Sequence, residues 1–243
     1  MPSKTTPFFK GEWLVSGNDP HLSPTTFLVE MSPGRTSQTH FHRNNQFQIF
    51  VRGKGTLGAH ELGPIQVHYA GAYTGYGPIK ADPVEGLAYF TMRPVAETGA
   101  LYVPEFKDQM LRGPKRQDSS EVTPPASESE LKSLRDIEVS ELFATGRDEV
   151  FARHVKIPPN GQYVCPAPSG TGGQIVFVAA GGMLQGDLEL GEWEHVFITP
   201  DEAAYTVKAG NRGLEAVVLQ FAPMADEYKV QSDRTLVTST IAE

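Results

Sequence analysis

Cysteine is nearly absent: Cys165 is the only one in 243 residues. No disulfide can close within the chain, and a zinc site built on cysteine is excluded. Long apolar runs are missing as well. None approaches the ~20 residues of a membrane helix, and MPSKTTPFFKGEWL lacks the apolar core of a signal peptide. The sequence therefore reads as a soluble cytoplasmic protein with no membrane partner. Basic clusters are also lacking. Lys and Arg number 21 against 29 Asp and Glu, for a net charge of −8, which argues against a nucleic-acid partner. No phosphate loop sits in strand–loop–helix context, because the glycines at 170–173 and 179–182 fall in strand-and-turn patterning. No Gly-x-Ser-x-Gly elbow is present.

Turn formers, by contrast, are abundant: 24 Gly and 19 Pro. With 39% hydrophobic residues, they suit a packed core of many short strands rather than a helical bundle. Strand patterns run through PFFKGEWLV, TTFLVEM, SQTHFH, QFQIFV, TLGAHEL, IQVHYAGAYTGY and GLAYFTMRPV, spaced as in a sandwich or barrel. From 98 to 139 the composition turns polar, acidic and Pro/Ser-rich, as in an exposed crossover. There Ser127 and Glu130 have the spacing of a capping box. Strand patterning resumes at DEVFARHVKI. Three landmarks then recur at one offset of 127 residues: Gly34 with Gly161, Gly55 with Gly182, and Gly86 with Gly213. The chain is thus expected to be two copies of one β unit: residues 1–97, a linker at 98–139, and 140–243 with a tail beyond about 225.

The copies differ in chemistry. Five of the seven histidines lie in the first 68 residues. His40 and His42 alternate on one strand, so both imidazoles project from the same face. The next strand offers Gln46, Gln48 and Phe50 on one face. Two imidazole nitrogens with an amide oxygen can hold a divalent metal; the alternative is a hydrogen-bonded, metal-free pair inside a barrel. At the offset of 127 the second copy has Ala167 and Ser169 in their places. His60, His68 and the loop residue His21 are further nitrogen donors, and Tyr69, Tyr73 and Tyr76 form an aromatic cluster. Arg93 closes the last strand of the first copy, where a guanidinium can clamp a carboxylate. Cys165 has no histidine near it in sequence and reads as a packing residue.

Gly34, five residues, His40-Phe41-His42, three residues, Gln46, six residues and Gly53 together resemble the first motif of the cupin superfamily, G(X)5HXH(X)3–4E(X)6G. Gln46 stands where that family has Glu. The stretch from Gly71 to Asp82 resembles the second motif poorly and has no histidine at the place of the family's third. The resemblance implies an all-β bicupin, two tandem jelly-roll-like barrels, the second degenerate. It implies a divalent metal (Fe, Mn, Ni or Zn) on His40, His42 and Gln46, with Gln48, Tyr76 and Arg93 binding substrate. The function expected from it is a metal-dependent enzyme acting on a small organic molecule, aromatic or carboxylate, by dioxygenase or isomerase/lyase chemistry. The alternative is a non-catalytic ligand-binding or structural bicupin. The residues assign no catalytic base. A homodimer through exposed strand edges is expected.

Overall fold

The computed structural model describes residues 8–15, 23–97, 99–143 and 145–229. His21 lies outside them. Nearly all regular structure is antiparallel strand, and the described residues form two compact units: those within 1–63, 68–118 and 224–229, and those within 64–67 and 119–223. The 98–139 stretch is thus divided between the units. Residues 224–229 group with the first unit, whereas the sequence placed them in the tail of the second. The physical reason is Tyr228, which is buried, packs its ring at a tilt against Tyr73 with centroids 4.8 Å apart, and accepts a hydrogen bond from Lys115 Nζ.

The main sheet, all of it in the first unit except residues 66–67 and 119, runs in the order Phe8–Val15, Thr25–Met31, Leu87–Arg93, Gln46–Gly53, Gln66–Ala70, Gln117–Ser119. A smaller sheet holds Thr36–Ser37, Ile79–Ala81, Gly55–Leu57 and His60–Leu62. The strand period of two places Phe27, Val29 and Met31 on one face, with Gln46, Gln48 and Phe50, and with Leu87, Tyr89, Thr91 and Arg93. Along each strand the inward residues grade from apolar to polar. Met31, Phe50, Leu87 and Ile79 pack a core at one end, and Gln46, Gln48, Thr91 and Arg93 are buried at the other. The polar end is where a site can form.

The second unit repeats the scaffold. Phe151–Ile157, Thr206–Gln220 and Gln174–Gln185 are neighbours in one sheet. The repeat extends to a backbone contact. Gly53 has φ +75°, and a Cβ on it would meet the Gly86 carbonyl oxygen at 2.2 Å. Gly181 has φ +82°, and a Cβ there would meet the Gly213 carbonyl oxygen at the same 2.2 Å. Only glycine fits both demands. The crossover carries the helix Glu128–Ser133, closed by the expected capping box: Ser127 Oγ accepts from the Glu130 amide, and the Glu130 carboxylate accepts from the Ser127 amide at 2.6 Å. Glu215, fully buried, pins this segment by accepting from the Ala126 amide at 2.7 Å, and its other oxygen lies 2.5 Å from His154 Nε2. Among the described residues no helix is long and apolar enough to cross a membrane.

Candidate functional site

The polar end of the first unit holds a half-open cavity of ≈ 200 Å³ whose walls include His40, His42, Gln48, Tyr76, Arg93 and Glu97. His40 belongs to a short strand, His40–Phe41, paired with Leu101–Tyr102, and His42 follows it directly. Both side chains are buried, with rings edge to face at a centroid distance of 5.3 Å. Gln46 is not part of the cavity wall but bonds two groups that are. Tyr69 and Tyr73 pack elsewhere, on Phe47 and on Phe41 with Tyr228. His60 is exposed on the smaller sheet. His68 is buried beside Tyr76, 5.3 Å between centroids, and outside the cavity wall. Cys165 is buried in the second unit's core, and burial pushes its thiol up to about 12.

The hydrogen bonds form one directed chain. His40 Nδ1 lies 2.7 Å from the Gln38 carbonyl, which can only accept, so Nδ1 carries the proton and Nε2 keeps its lone pair. Tyr76 donates its hydroxyl hydrogen to that Nε2 at 2.8 Å. The same hydroxyl oxygen accepts from Gln46 Nε2 at 2.5 Å. Gln46 Oε1 in turn accepts from Arg93 Nε and Nη2, each at 3.1 Å. Arg93 Nη2 also lies 3.2 Å from either ring nitrogen of His42, and Nη1 donates to the Glu97 carbonyl at 3.3 Å.

Charge follows burial. The Arg93 guanidinium is 3% exposed, yet guanidinium stays charged in any protein setting. Its carboxylate neighbour is Glu97, whose oxygens accept from the backbone amides of Arg43 and Asn44 at 2.8 and 3.1 Å. Burial raises Glu97 above the usual carboxyl range, against the pull of those amides and of Arg93. Burial lowers His40, and lowers His42 further with help from Arg93 and His40. Both imidazoles are neutral at pH 7. Burial also raises the Tyr76 and Tyr89 phenols, which remain protonated donors. Gln48 Oε1 is buried against the cavity without a hydrogen-bond partner among the described residues, so it calls for a donor from a guest. Lys10, half exposed and 4.0 Å above the Phe27 ring, stands on the cavity wall as well.

Sequence reasoning missed Glu97 and Lys10. Glu97 lies four residues past Arg93, outside any strand pattern; Lys10 is one of several polar residues on an otherwise exposed strand.

The expected metal ligands are brought together, but their donor atoms face protein partners. His40 Nε2 faces Tyr76, Gln46 Oε1 accepts from Arg93, and Arg93 Nη2, 3.2 Å from each nitrogen of His42, lies over that ring, which also bonds the Gly99 backbone. Among the described residues no group of three or more His, Cys, Asp or Glu side chains gathers to hold an ion. With a fixed cation among them, these donors do not fit a divalent metal in this arrangement.

The second unit shows what the same frame becomes without a site. In the first unit Tyr89 pairs with Phe50 and Thr91 with Gln48, and the next step in that register joins Arg93 to Gln46. In the second, Ala216 pairs with Val178, Val218 with Val176 and Gln220 with Gln174. Ala216, Val218, Val178 and Val176 belong to the second unit's apolar core. A neutral amide pair, Gln174 Nε2 to Gln220 Oε1 at 2.8 Å, takes the place of the Arg93–Gln46 bond.

No protein-family model and no curated protein matches the sequence. Solved structures do. A "putative dioxygenase" from Nostoc punctiforme is similar at 13% identity and TM-score 0.58, over 91% of this chain and 84% of that one. Pirin from Escherichia coli, in complex with nickel(II), is similar at 12% and 0.54, over 89% and 92%. An oxalate decarboxylase variant from Bacillus subtilis is similar at 10% and 0.52, over 83% and 69%. Another structure of that decarboxylase is described by its Mn(II) centres. These likenesses establish the fold, and divalent metals occur in proteins that have it.

Proposed function

With the cupin fold in tandem as the premise, we propose that the first unit binds a small, flat organic anion and acts on it by proton transfer, as an isomerase or lyase. Arg93 carries this reading: a buried, permanently charged guanidinium in the wall of a small, half-open cavity is suited to a carboxylate. Lys10 adds a second positive charge at the wall. The ring faces of Phe27, Tyr89 and Tyr102, which also line it, suit an aromatic body. The volume lies below the ~300 Å³ at which drug-sized pockets begin, so the guest is small. Gln48 Oε1 asks it for a hydroxyl or N–H hydrogen.

Glu97 is the acid–base group of this proposal. It lines the cavity, and its raised pKa moves a carboxylate toward the range useful for proton transfer at neutral pH. Tyr76 and Tyr89 stay protonated and serve as donors. His40 is committed to Tyr76 and acts by positioning. Dioxygenase chemistry has less support, because Tyr76 engages His40 Nε2, Arg93 engages Gln46 Oε1, and the guanidinium lies against His42.

Non-catalytic binding is the second reading, favoured by the second unit, which keeps the scaffold with an aliphatic interior. Calorimetry with salicylate, benzoate and the neutral benzamide tests the binding step. Salicylate is expected to bind best and benzamide at least tenfold more weakly, with the preference lost in Arg93→Met. Equal affinity for acid and amide would overturn the anion assignment. Exchange with D₂O of the α C–H of mandelate, an aromatic carboxylate that has one, lost in Glu97→Gln, separates enzyme from binder. A cytoplasmic homodimer completes the proposal; the edge strand Phe8–Val15, with Phe9 and Trp13 exposed, is its interface, and light scattering at twice 26.5 kDa is the check.

A further inference from the structure

Two departures from the cupin motifs meet an arginine from outside them in one place. Gln46 stands for a glutamate, Tyr76 lies in a stretch without the expected histidine, and Arg93 reaches in from the neighbouring strand. We infer that these three are one replacement: the guanidinium of Arg93 occupies the point at which His40, His42 and Gln46 would hold an ion, and the first unit works without a divalent metal. This goes beyond the proposed function and holds whatever the guest is.

The hydrogen-bond directions carry the inference. Gln46 accepts from Arg93 with its oxygen and donates to Tyr76 with its nitrogen. An ionised glutamate is acceptor-only and cannot fill both roles. Tyr76 must then donate onward, and the lone pair it meets is that of His40 Nε2, exposed because Nδ1–H is committed to Gln38. A proton on Nε2 would reverse that bond and leave the phenol hydrogen without an acceptor in the chain, so the chain is complete only with a neutral His40. Every bond from Arg93 to Gln38 is satisfied in one direction without a metal. Each departure has a partner that makes use of it.

Charge points the same way. A metal ligated by His42 would sit within a few ångströms of Arg93 Nη2, now 3.2 Å from both ring nitrogens. Like charges that close in a buried setting repel strongly, and a neutral Gln46 offers no compensation. Among the described residues Glu97 is the only carboxylate on the cavity wall, and the Arg43 and Asn44 amides already hold it. Where the second unit has a neutral Gln220 at this register, the partner is again a glutamine, Gln174. The amide position therefore pairs with the side chain across the strand in both copies, as a structural bond rather than a ligand.

The test is to reverse the replacement in the full chain. Equilibrium dialysis against nickel(II) and manganese(II) compares wild type with Gln46→Glu/Arg93→Met and with the same pair on a His40→Ala/His42→Ala background. Wild type is expected to bind no ion that depends on the histidines. The reverted variant is expected to gain one site, at least ~tenfold tighter than any wild-type binding, and to lose it when the histidines are removed. Gln46→Glu/Arg93→Gln, which copies Gln220 of the second unit, serves if the methionine variant fails to fold by circular dichroism. A wild-type site removed by His40→Ala/His42→Ala would overturn the inference. So would a folded reverted variant that binds no tighter than wild type. Neither outcome bears on carboxylate binding, so this inference and the proposed function fail separately.

Discussion

Arg93 and Gln46 are joined twice: Nε and Nη2 of the guanidinium both donate to Gln46 Oε1 at 3.1 Å. The bond ties adjacent strands at the polar end of the first unit and fixes the orientation of the glutamine amide. Through that amide it holds Tyr76, which donates to the His40 Nε2 left bare because Nδ1–H is given to the Gln38 carbonyl.

Tyr76→Phe tests the middle of this chain. It removes the hydroxyl that Gln46 Nε2 and His40 Nε2 share and leaves two buried polar atoms without a partner. Stability in urea is expected to fall by about 1–3 kcal/mol. A variant as stable as wild type would mean that the hydroxyl is not part of the network.

Stability should depend on pH through the buried imidazoles. His40, His42 and His68 all have folded pKa values below the ordinary 6.5, His68 at about 3, with burial the leading cause in each. The unfolded chain therefore binds more protons below pH 6.5, so stability is complete above that value and declines as pH falls. The slope approaches about 1.4 kcal/mol per pH unit for each imidazole still neutral in the fold. Glu97, raised by burial, opposes this only between its unfolded and folded values. Urea midpoints measured from pH 7.5 to 5 are expected to fall; a flat profile would contradict neutral, buried rings.

Gly53→Ala and Gly181→Ala test the repeat. Each puts a Cβ at 2.2 Å from a facing carbonyl oxygen at positive φ. Each is expected to destabilise the chain by at least about 1–3 kcal/mol, in contrast to Gly186→Ala, where φ is +60° but no atom lies within 4 Å. Thermal melts of the three variants provide the ranking.

Cys165 should be inert in the folded protein. It is 2% exposed, and its thiol is pushed up to about 12, so little thiolate exists at pH 8. A disulfide reagent is expected to react only after urea is added. Rapid reaction in buffer would contradict its burial.

The strands, the duplication and the paired imidazoles were legible because each rests on local order: a period of two, glycines where φ is positive, and a constant offset. The capping box at Ser127 was legible for the same reason. Arg93 was singled out as a clamp for a carboxylate, but its bond to Gln46 was not legible. Nothing local distinguishes an arginine at a strand end that faces solvent from one that turns inward; the register that sets it against Gln46 is a pairing over 47 residues. Glu97 was hidden similarly, since its partners are the backbone amides of a turn 54 and 53 residues earlier. The exchange of Glu for Gln at 46 was visible, but its reason was not: it shows only when one amide is seen to accept from a guanidinium and donate to a phenol.

Elemental analysis of the freshly purified protein, prepared without chelators beside His40→Ala/His42→Ala, tests the central claim most directly. Divalent metal is expected below ~0.1 ion per chain in both, as for a set of donors already engaged by a fixed cation. About one ion per chain in the wild type, absent from the double variant, would contradict it.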